Sequence, residues 1–462
     1  MTTAPVPTRR LSSDQRNAFT ASLLGWMMDA FDYFIVVLVY ADIAAEFHVT
    51  LEQIAFLTTI TLIMRPVGAY LFGLWADRVG RRIPLIVDVC FYSFVGFLCA
   101  FAPNFTVLFI LRLLYGIGMG GEWGLGAALT MEKVPRERRG FFSGILQAGY
   151  SAGYLLASLA FLLVHSALGL NWRWLFVLSI VPAVISLIIR SRVKESEVWE
   201  NTRDRMQKKN TSIKNVFFNG KVLRRFVYLV LLMAAFNWMS HGTQDIYPTF
   251  LKATDHGGAG LDAAVAGWIA VVYNVGAIVG CIVLGSLSDH WGRKATIILG
   301  AALTLPIIPI FAFSHTAGLL CLGSALIQFT TQGAWGAIPA HLNEMSPNAI
   351  RGFYPGVTYQ LGNVIAAFNL PIQQALAAKI GYPWAMTITV AGAAIAVILL
   401  TAFGRHAKGI DFDAEEPDAV AASDSAGAAG VGPARPADAR TRAARRLSDR
   451  ARTEKRHPAA AA

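Results

Sequence analysis

Charge is what this sequence has least of. Asp, Glu, Lys and Arg make up 15% of its 462 residues against 55% hydrophobic, with a mean hydropathy of +0.48. A soluble globular chain is about 25% charged, so the two to four soluble domains that length alone suggests are excluded. Cysteine is scarce too. Cys90, Cys99, Cys281 and Cys321 all fall inside apolar runs without metal-ligand spacing, which excludes a disulfide framework. The sequence also lacks a Walker loop, a metal-ligand cluster and a catalytic triad, so no enzyme activity, cofactor or metal is expected.

What it has instead is long apolar stretches. One bilayer-spanning helix needs ~20 apolar residues. About twelve such runs are present: 19–41, 54–75, 84–103, 106–129, 141–165, 172–190, 226–251, 265–287, 295–314, 317–341, 352–377 and 383–403. They predict an all-α polytopic membrane protein surrounded by lipid. The net charge of +11 would suit nucleic acid, but its pattern argues against it. Basic residues cluster in alternate loops (Arg78, Arg81, Arg82; Lys133, Arg136, Arg138, Arg139; Arg293, Lys294; Arg351), while 42–53, 103–106, 166–171 and 379–383 are nearly free of them. By the positive-inside rule, both termini and the 191–225 loop are expected in the cytoplasm, with the chain in the cell membrane. The first apolar run holds Asp29 and Asp32 and no small-residue cleavage site, so no removable signal peptide is expected.

The chain is written twice. GLWADRVGRR (Gly73–Arg82) returns as GSLSDHWGRK (Gly285–Lys294), and EKVPRERRGF (Glu132–Phe141) as EMSPNAIRGF (Glu344–Phe353), both at an offset of 212 residues. GEWG at Gly121 and GAWG at Gly333 share that spacing, as do Trp26-Met27 and Trp238-Met239. This is a duplication of about six helices. Parallel halves of this kind place a substrate site between them near the midplane. The expected layout is a tail 1–18, bundles 19–190 and 226–403 joined by a polar linker 191–225, and a disordered cytoplasmic tail 404–462 rich in Ala, Gly, Pro, Asp and Arg.

The loop G-x-x-x-D-R-x-G-R-R, with its second copy, resembles the signature of the major facilitator superfamily over roughly 19–403. Gly73 permits close helix contact, and Asp77, Arg78, Gly80, Arg81 and Arg82 with Asp289, Gly292, Arg293 and Lys294 form loops whose ion pairs would make and break as the halves rock. His290 replaces Arg78 in the second copy, so a weaker network is expected there. The segment N-x-x-S-H-x-T-Q-D-x-x-x-T (Asn237 to Thr249) resembles the seventh-helix signature of lactate/pyruvate permeases of the sialate:proton symporter family. WMMDAFDYF (Trp26–Phe34) is similar to a D-[AG]-F-D segment shared by organic-acid symporters. The fifth run, GILQAGYSAGYLLAS, has no proline and so lacks the antiporter pattern. The resemblance implies proton-coupled symport of a small monocarboxylate, with a monomer as the working unit. A symporter of a bulkier acid (sialate or an aromatic acid) and a transport-inactive nutrient receptor are the alternatives.

Polar residues at membrane depth are costly and usually face a bundle interior. Asn237, His241 and Asp245 stand four apart and share one face of a helix. A histidine beside a carboxylate there can respond to both a proton and an approaching anion. Asn237 and Gln244 add orienting hydrogen bonds, and Pro248 should bend the helix near it; the bland alternative is polar glue between helices 7 and 1. Asp29 and Asp32, three apart, rarely both ionise in low dielectric, so either is a proton carrier, or Asp29 pairs with an arginine. Arg65 and Arg112 offer the planar fork that fits a carboxylate. Arg65 alternatively pairs with Asp29 or Asp32, and Arg112 alternatively snorkels outward. Glu122, in GGEWG, is either a proton relay or a structural partner. Gln147, Tyr150, Tyr359, Gln360 and Asn363 are weaker candidates for lining the cavity.

Overall fold

The computed structural model describes residues 11–178, 180, 184, 188–189, 193–208, 212–405 and 409–412. Among the described residues no strand occurs. The bundle is built from α1 (Ser13–Leu38), α2 (Leu51–Val79), α3 (Arg82–Cys99), α4 (Phe105–Lys133), α5 (Arg139–Phe161), the described start of α6 (Arg173–Leu178), α7 (Gly220–Gln244), α8 (Ala263–Trp291), α9 (Arg293–Phe313), α10 (Ala317–Gly336), α11 (Tyr354–Ala366) and α12 (Tyr382–Phe403). Short helices lie between them.

Local sequence sets the helix starts. Thr50 and Gln53 make a reciprocal capping box at α2, and Asp262, 212 residues on, caps α8. Asn104 caps α4, and Thr316, at the same offset, caps α10. Each side-chain oxygen accepts from an otherwise orphaned N–H of the first turn. Ser12 and Gln15 make another box, so α1 begins at Ser13 and the expected tail 1–18 is shorter than the apolar pattern suggested. Likewise α7 begins at Gly220, and the linker carries two helices, Glu197–Lys208 and Ile213–Phe217. The linker is packed, not loose: Trp199 is buried and its indole N–H donates to the Asp77 carbonyl at 3.0 Å.

Among the described residues, nine helical stretches are long and apolar enough to cross a membrane. The run 172–190 lies partly outside the described residues. The runs 317–341 and 352–377 fall short for a physical reason. Gln328, Thr330, Thr331 and Gln332 of α10 are buried in the interior, as are Gln360 and Asn363 of α11. A second helix, Asn369–Ile380, continues after α11. Helices that face their neighbours instead of lipid can hold polar groups at little cost.

The two halves repeat each other's packing. In the first, α1 packs on α5 and α2 on α4; in the second, α7 packs on α11 and α8 on α10. Across the halves, α2 meets α11 and α5 meets α8. Glycines make those crossings close. A Cβ at Gly144 would stand 2.2 Å from the Cys281 carbonyl oxygen, and one at Gly73 would stand 2.7 Å from the Phe353 Cα. The expected tail 404–462 lies mostly outside the described residues. Of its described residues, 404–405 and 409–412, Phe412 is 1% exposed and so not loose.

Candidate functional site

The interior holds a buried ion pair. Arg65 of α2 and Asp29 of α1 are 3.4 Å apart and 2% and 0% exposed. The Arg65 guanidinium also stands over the Trp26 ring, 5.9 Å from its centre. Such a pair is costly to bury and strongly destabilising to break from one side, so each member is held in place by the other. Asp32 lies within electrostatic reach of Asp29. Its carboxylate lies beside Gly96 and the Tyr115 ring. Arg112 is 1% exposed, so it does not snorkel; its guanidinium packs over Tyr115 at 4.2 Å and, among the described residues, makes no ion pair. Thr61, one turn before Arg65 on α2, donates to the Arg112 carbonyl. Arg65 and Arg112 both lie within electrostatic reach of Asp29. Glu122 is fully buried and within electrostatic reach of Asp29.

Facing this pair from the second half is the helix-7 cluster. His241 Nδ1 is 3.1 Å from Asp245 Oδ1, and Nε2 is 3.2 Å from Asn363 Oδ1. The shared face expected from the spacing is present, but Asn237 turns back and donates to its own helix at the Met233 carbonyl. The helix does break, although not at Pro248: α7 ends at Gln244 and a new helix, Tyr247–Lys252, takes Pro248 in its first turn, where no N–H is missed. Sequence reasoning overlooked an amide ladder beside this break. Gln332 Nε2 donates to Ser240 Oγ at 2.8 Å, Gln328 Nε2 to Thr243 Oγ1 at 3.1 Å, and Gln244 Nε2 to Gln328 Oε1 at 3.3 Å. The two glutamines sit in an otherwise apolar helix, the same signal that singled out helix 7.

Beside the cation is an aromatic cluster drawn from both halves. Tyr359 stacks near Trp123 (4.4 Å), Trp335 (5.6 Å) and Trp26 (6.5 Å), and Tyr150 lies 5.2 Å from Trp26. Gln147 accepts from the Trp123 indole at 3.4 Å. The indole N–H groups of Trp26 and Trp335 and the amide of the fully buried Gln360 have no hydrogen-bond partner. Buried orphan donors are uncommon in native proteins.

The repeated loops meet at the end of the bundle that carries the basic clusters. Asp77 accepts from the backbone N–H groups of Gly352 (2.7 Å) and Phe353 (3.0 Å) in the other half. Its repeat partner Asp289 accepts from Gly140 (2.7 Å) and Phe141 (2.9 Å). Each carboxylate thus closes the start of a helix across the boundary, where the dipole favours a negative charge. Arg81 holds Asp77 (2.7 Å) and Glu132 (3.2 Å), while Arg293 holds Asp289 (2.8 Å) and takes both oxygens of Glu344 (3.0 Å). Gly80 and Gly292 have φ of 110° and 95°, which a side chain would resist. Three expectations need correction. Arg78 is exposed and makes no ion pair among the described residues, and Arg82 is exposed, with its backbone N–H donating to Glu195 at 3.1 Å. Lys294 ties instead to the carbonyls of Ala402 and Gly404 within its own half. The second copy is no weaker for its His290, because the position of Arg78 was never part of the lock. His241 and Asp245 are 25% and 27% exposed.

At that opposite end, a contact not anticipated from the sequence fixes the start of α6. Arg173 meets Glu46 at 2.7 Å, and the Trp172 indole donates to the same carboxylate at 2.6 Å. Partial burial opposes ionisation of Glu46, yet the Arg173 and Trp172 donors outweigh it and hold its carboxyl below the ordinary value.

Two pseudo-repeated lobes of helices around a polar interior define a membrane transporter. The Major Facilitator Superfamily profile matches residues 22–258 and 237–450, and the chain belongs to that family. It is 28% identical over 410 residues to a carboxylic acid transporter protein homolog of Saccharomyces cerevisiae, covering 82% of this chain and 64% of that protein. It is 26% identical to a sialic acid transporter of Escherichia coli, covering 77% and 85%. The fold is shared with the solved proton:xylose symporter XylE, with a TM-score of 0.74 at 18% identity over 87% of this chain and 98% of that one. Among the described residues no cluster of His, Cys, Asp or Glu would hold a metal ion.

Proposed function

We propose that this transporter carries a small organic carboxylate together with a proton, with lactate and pyruvate as the narrower class. The observation that carries the reading is the buried Arg65–Asp29 pair, a fixed cation beside a titratable carboxylate in the bundle interior. A lone monoanion entering against an inside-negative potential costs ~2.3 kcal/mol per 100 mV. A co-transported proton cancels that charge, and each pH unit of gradient then contributes ~1.4 kcal/mol. Protonating Asp29 releases Arg65, whose guanidinium then takes the substrate carboxylate in a bidentate contact. His241 with Asp245 is the second titratable pair. Trp26, Trp335 and Gln360 supply donors for the rest of the molecule. The basic end faces the cytoplasm of the cell membrane by the positive-inside rule, and the sealed lock then holds the outward-facing form, in a carrier that works as a monomer.

The aromatic cluster favours a second reading in which the acid is bulkier or flat. That the yeast relative is named for carboxylic acids and the bacterial one for sialic acid agrees with an organic acid in either case. The test is uptake of labelled lactate into proteoliposomes under an imposed pH gradient, with Arg65→Lys, Asp29→Asn, His241→Ala and Asp245→Asn in parallel. Uptake should collapse when the gradient is dissipated, and Asp29→Asn should lose gradient-driven accumulation by more than tenfold. Uptake indifferent to the gradient would end the coupling claim. Lactate failing to compete with a labelled aromatic acid that is itself taken up would transfer the site to the bulkier class.

A further inference from the structure

The lock at the basic end contains a piece of chain that the transport reading does not use. Phe412, beyond α12, is 1% exposed and packs with Met131, Val134, Phe142, Val198 and Ala340. Its ring lies 3.5 Å from the Arg139 guanidinium carbon and 3.7 Å from that of Arg351. These two arginines are repeat partners, one from each half. The backbone is held as well: Arg139 donates to the Ile410 carbonyl at 2.6 Å, and Asn348 donates to the Phe412 carbonyl at 2.8 Å. Arg136 adds a contact to Asp411 at 3.9 Å. Both arginines are also part of the lock, Arg139 lying 4.0 Å from Glu344 and Arg351 lying 3.7 Å from Glu132.

We propose that Gly409–Phe412 is a latch that holds the two halves together at the basic end and must leave its seat before that end opens. The ring fills the gap between two like charges, and each guanidinium lies over the ring, where the negative face of its π-system attracts a cation. When the halves part, Arg139 and Arg351 move apart and the ring keeps at most one of them. The segment therefore binds the closed form more tightly than the open one, which is the condition for shifting the equilibrium. It is a device in the chain's own tail: whatever draws Phe412 away releases the lock from the cytoplasmic side. The proposal rests on the rocking of the halves and not on the identity of the substrate.

The test uses hydrogen exchange by mass spectrometry on the full chain in detergent, without substrate, so its outcome is separate from that of the uptake experiment. The reporters are the amides of Gly140 and Phe141 and of Gly352 and Phe353, which donate across the boundary to Asp289 and Asp77. Phe412→Ala should speed exchange at both reporters about fivefold, the loss of two modest cation–π contacts. Phe412→Trp, which keeps an aromatic face, should leave it near the parental rate. The segment 171–175 at the opposite end should not change. Unaltered exchange at the reporters in Phe412→Ala would overturn the latch, and so would an equal rise at 171–175, because that marks general loosening.

Discussion

At the scale of single residues, the buried charges carry the sharpest expectations. Arg65→Ala leaves Asp29 buried without its partner, which costs about 3–5 kcal/mol. The double variant Arg65→Ala, Asp29→Asn should therefore unfold at a higher temperature than Arg65→Ala alone, measured by thermal unfolding in detergent. Equal melting of the two would show that the pair does not couple. At the lock, each aspartate accepts two backbone N–H groups across the halves, and a hydrogen bond to a charged group contributes ~1.5–3 kcal/mol. Asp77→Asn and Asp289→Asn should each shift the balance toward an open basic end by about tenfold or more, and by similar amounts, because the geometry is repeated. Distances between spin labels placed on the two halves at that end would report it. Much of this was legible: Asp77, Arg81, Asp289 and Arg293 stood out by repetition alone. Glu132, Arg139, Glu344 and Arg351 lie in the other repeated segment and carry the same signal. Their joining to the first set is a long-range contact that no local pattern encodes.

At the scale of helices, close approach decides function. Gly144 is where α5 crosses α8, and a Cβ there would meet the Cys281 backbone at 2.2 Å. Backbone cannot yield as a flexible side chain can, and over-packing costs about 1–3 kcal/mol. Gly144→Leu should hold the basic end open, seen as faster exchange at Gly140 and Phe141 with little change in overall helicity. The helix Tyr40–Phe47 is tied to the start of α6 through Glu46 and Arg173, and this gives a pH expectation. Glu46 has its folded value depressed, so its contribution is present above the ordinary carboxylate range. It is lost as pH falls through the folded value. The melting difference between the parent and Glu46→Gln should be widest near pH 7 and shrink below about pH 4, given an unperturbed glutamate near 4.3. A difference that stays constant with pH would show that packing, not charge, holds the tie. The break in helix 7 teaches the limits of local reading. Pro248 did mark it, but the chain places proline just inside the next helix, where its missing N–H is harmless.

At the scale of the whole molecule, the duplication governs what can move. Two lobes that repeat each other's contacts meet through α2 with α11 and α5 with α8, and both crossings carry the same aspartate-to-backbone device. A lock made of two equivalent halves should open as a unit. In the double variant Asp77→Asn, Asp289→Asn, the shifts should add in free energy, because one opening step breaks both contacts and the two aspartates bind separate partners. A double shift well short of the sum would show that the two contacts open separately. Composition and repetition settle the class of the molecule: its lack of charge demands lipid, its twelve apolar runs set the helices, and the 212-residue offset sets two repeated halves. They also mark helices 1, 2 and 7, because ionisable groups at membrane depth are too costly to be incidental. Which charges meet is a matter of how the helices fold together. Arg65 took Asp29 and left Asp32 to the neighbourhood of Tyr115. Arg112 stayed buried against a ring, and the tail's Phe412 came to rest between two arginines some 60 to 270 residues away. Period and composition fix which face of a helix is polar. The partner on that face depends on which helix the fold brings alongside, and that is settled by packing over the whole bundle.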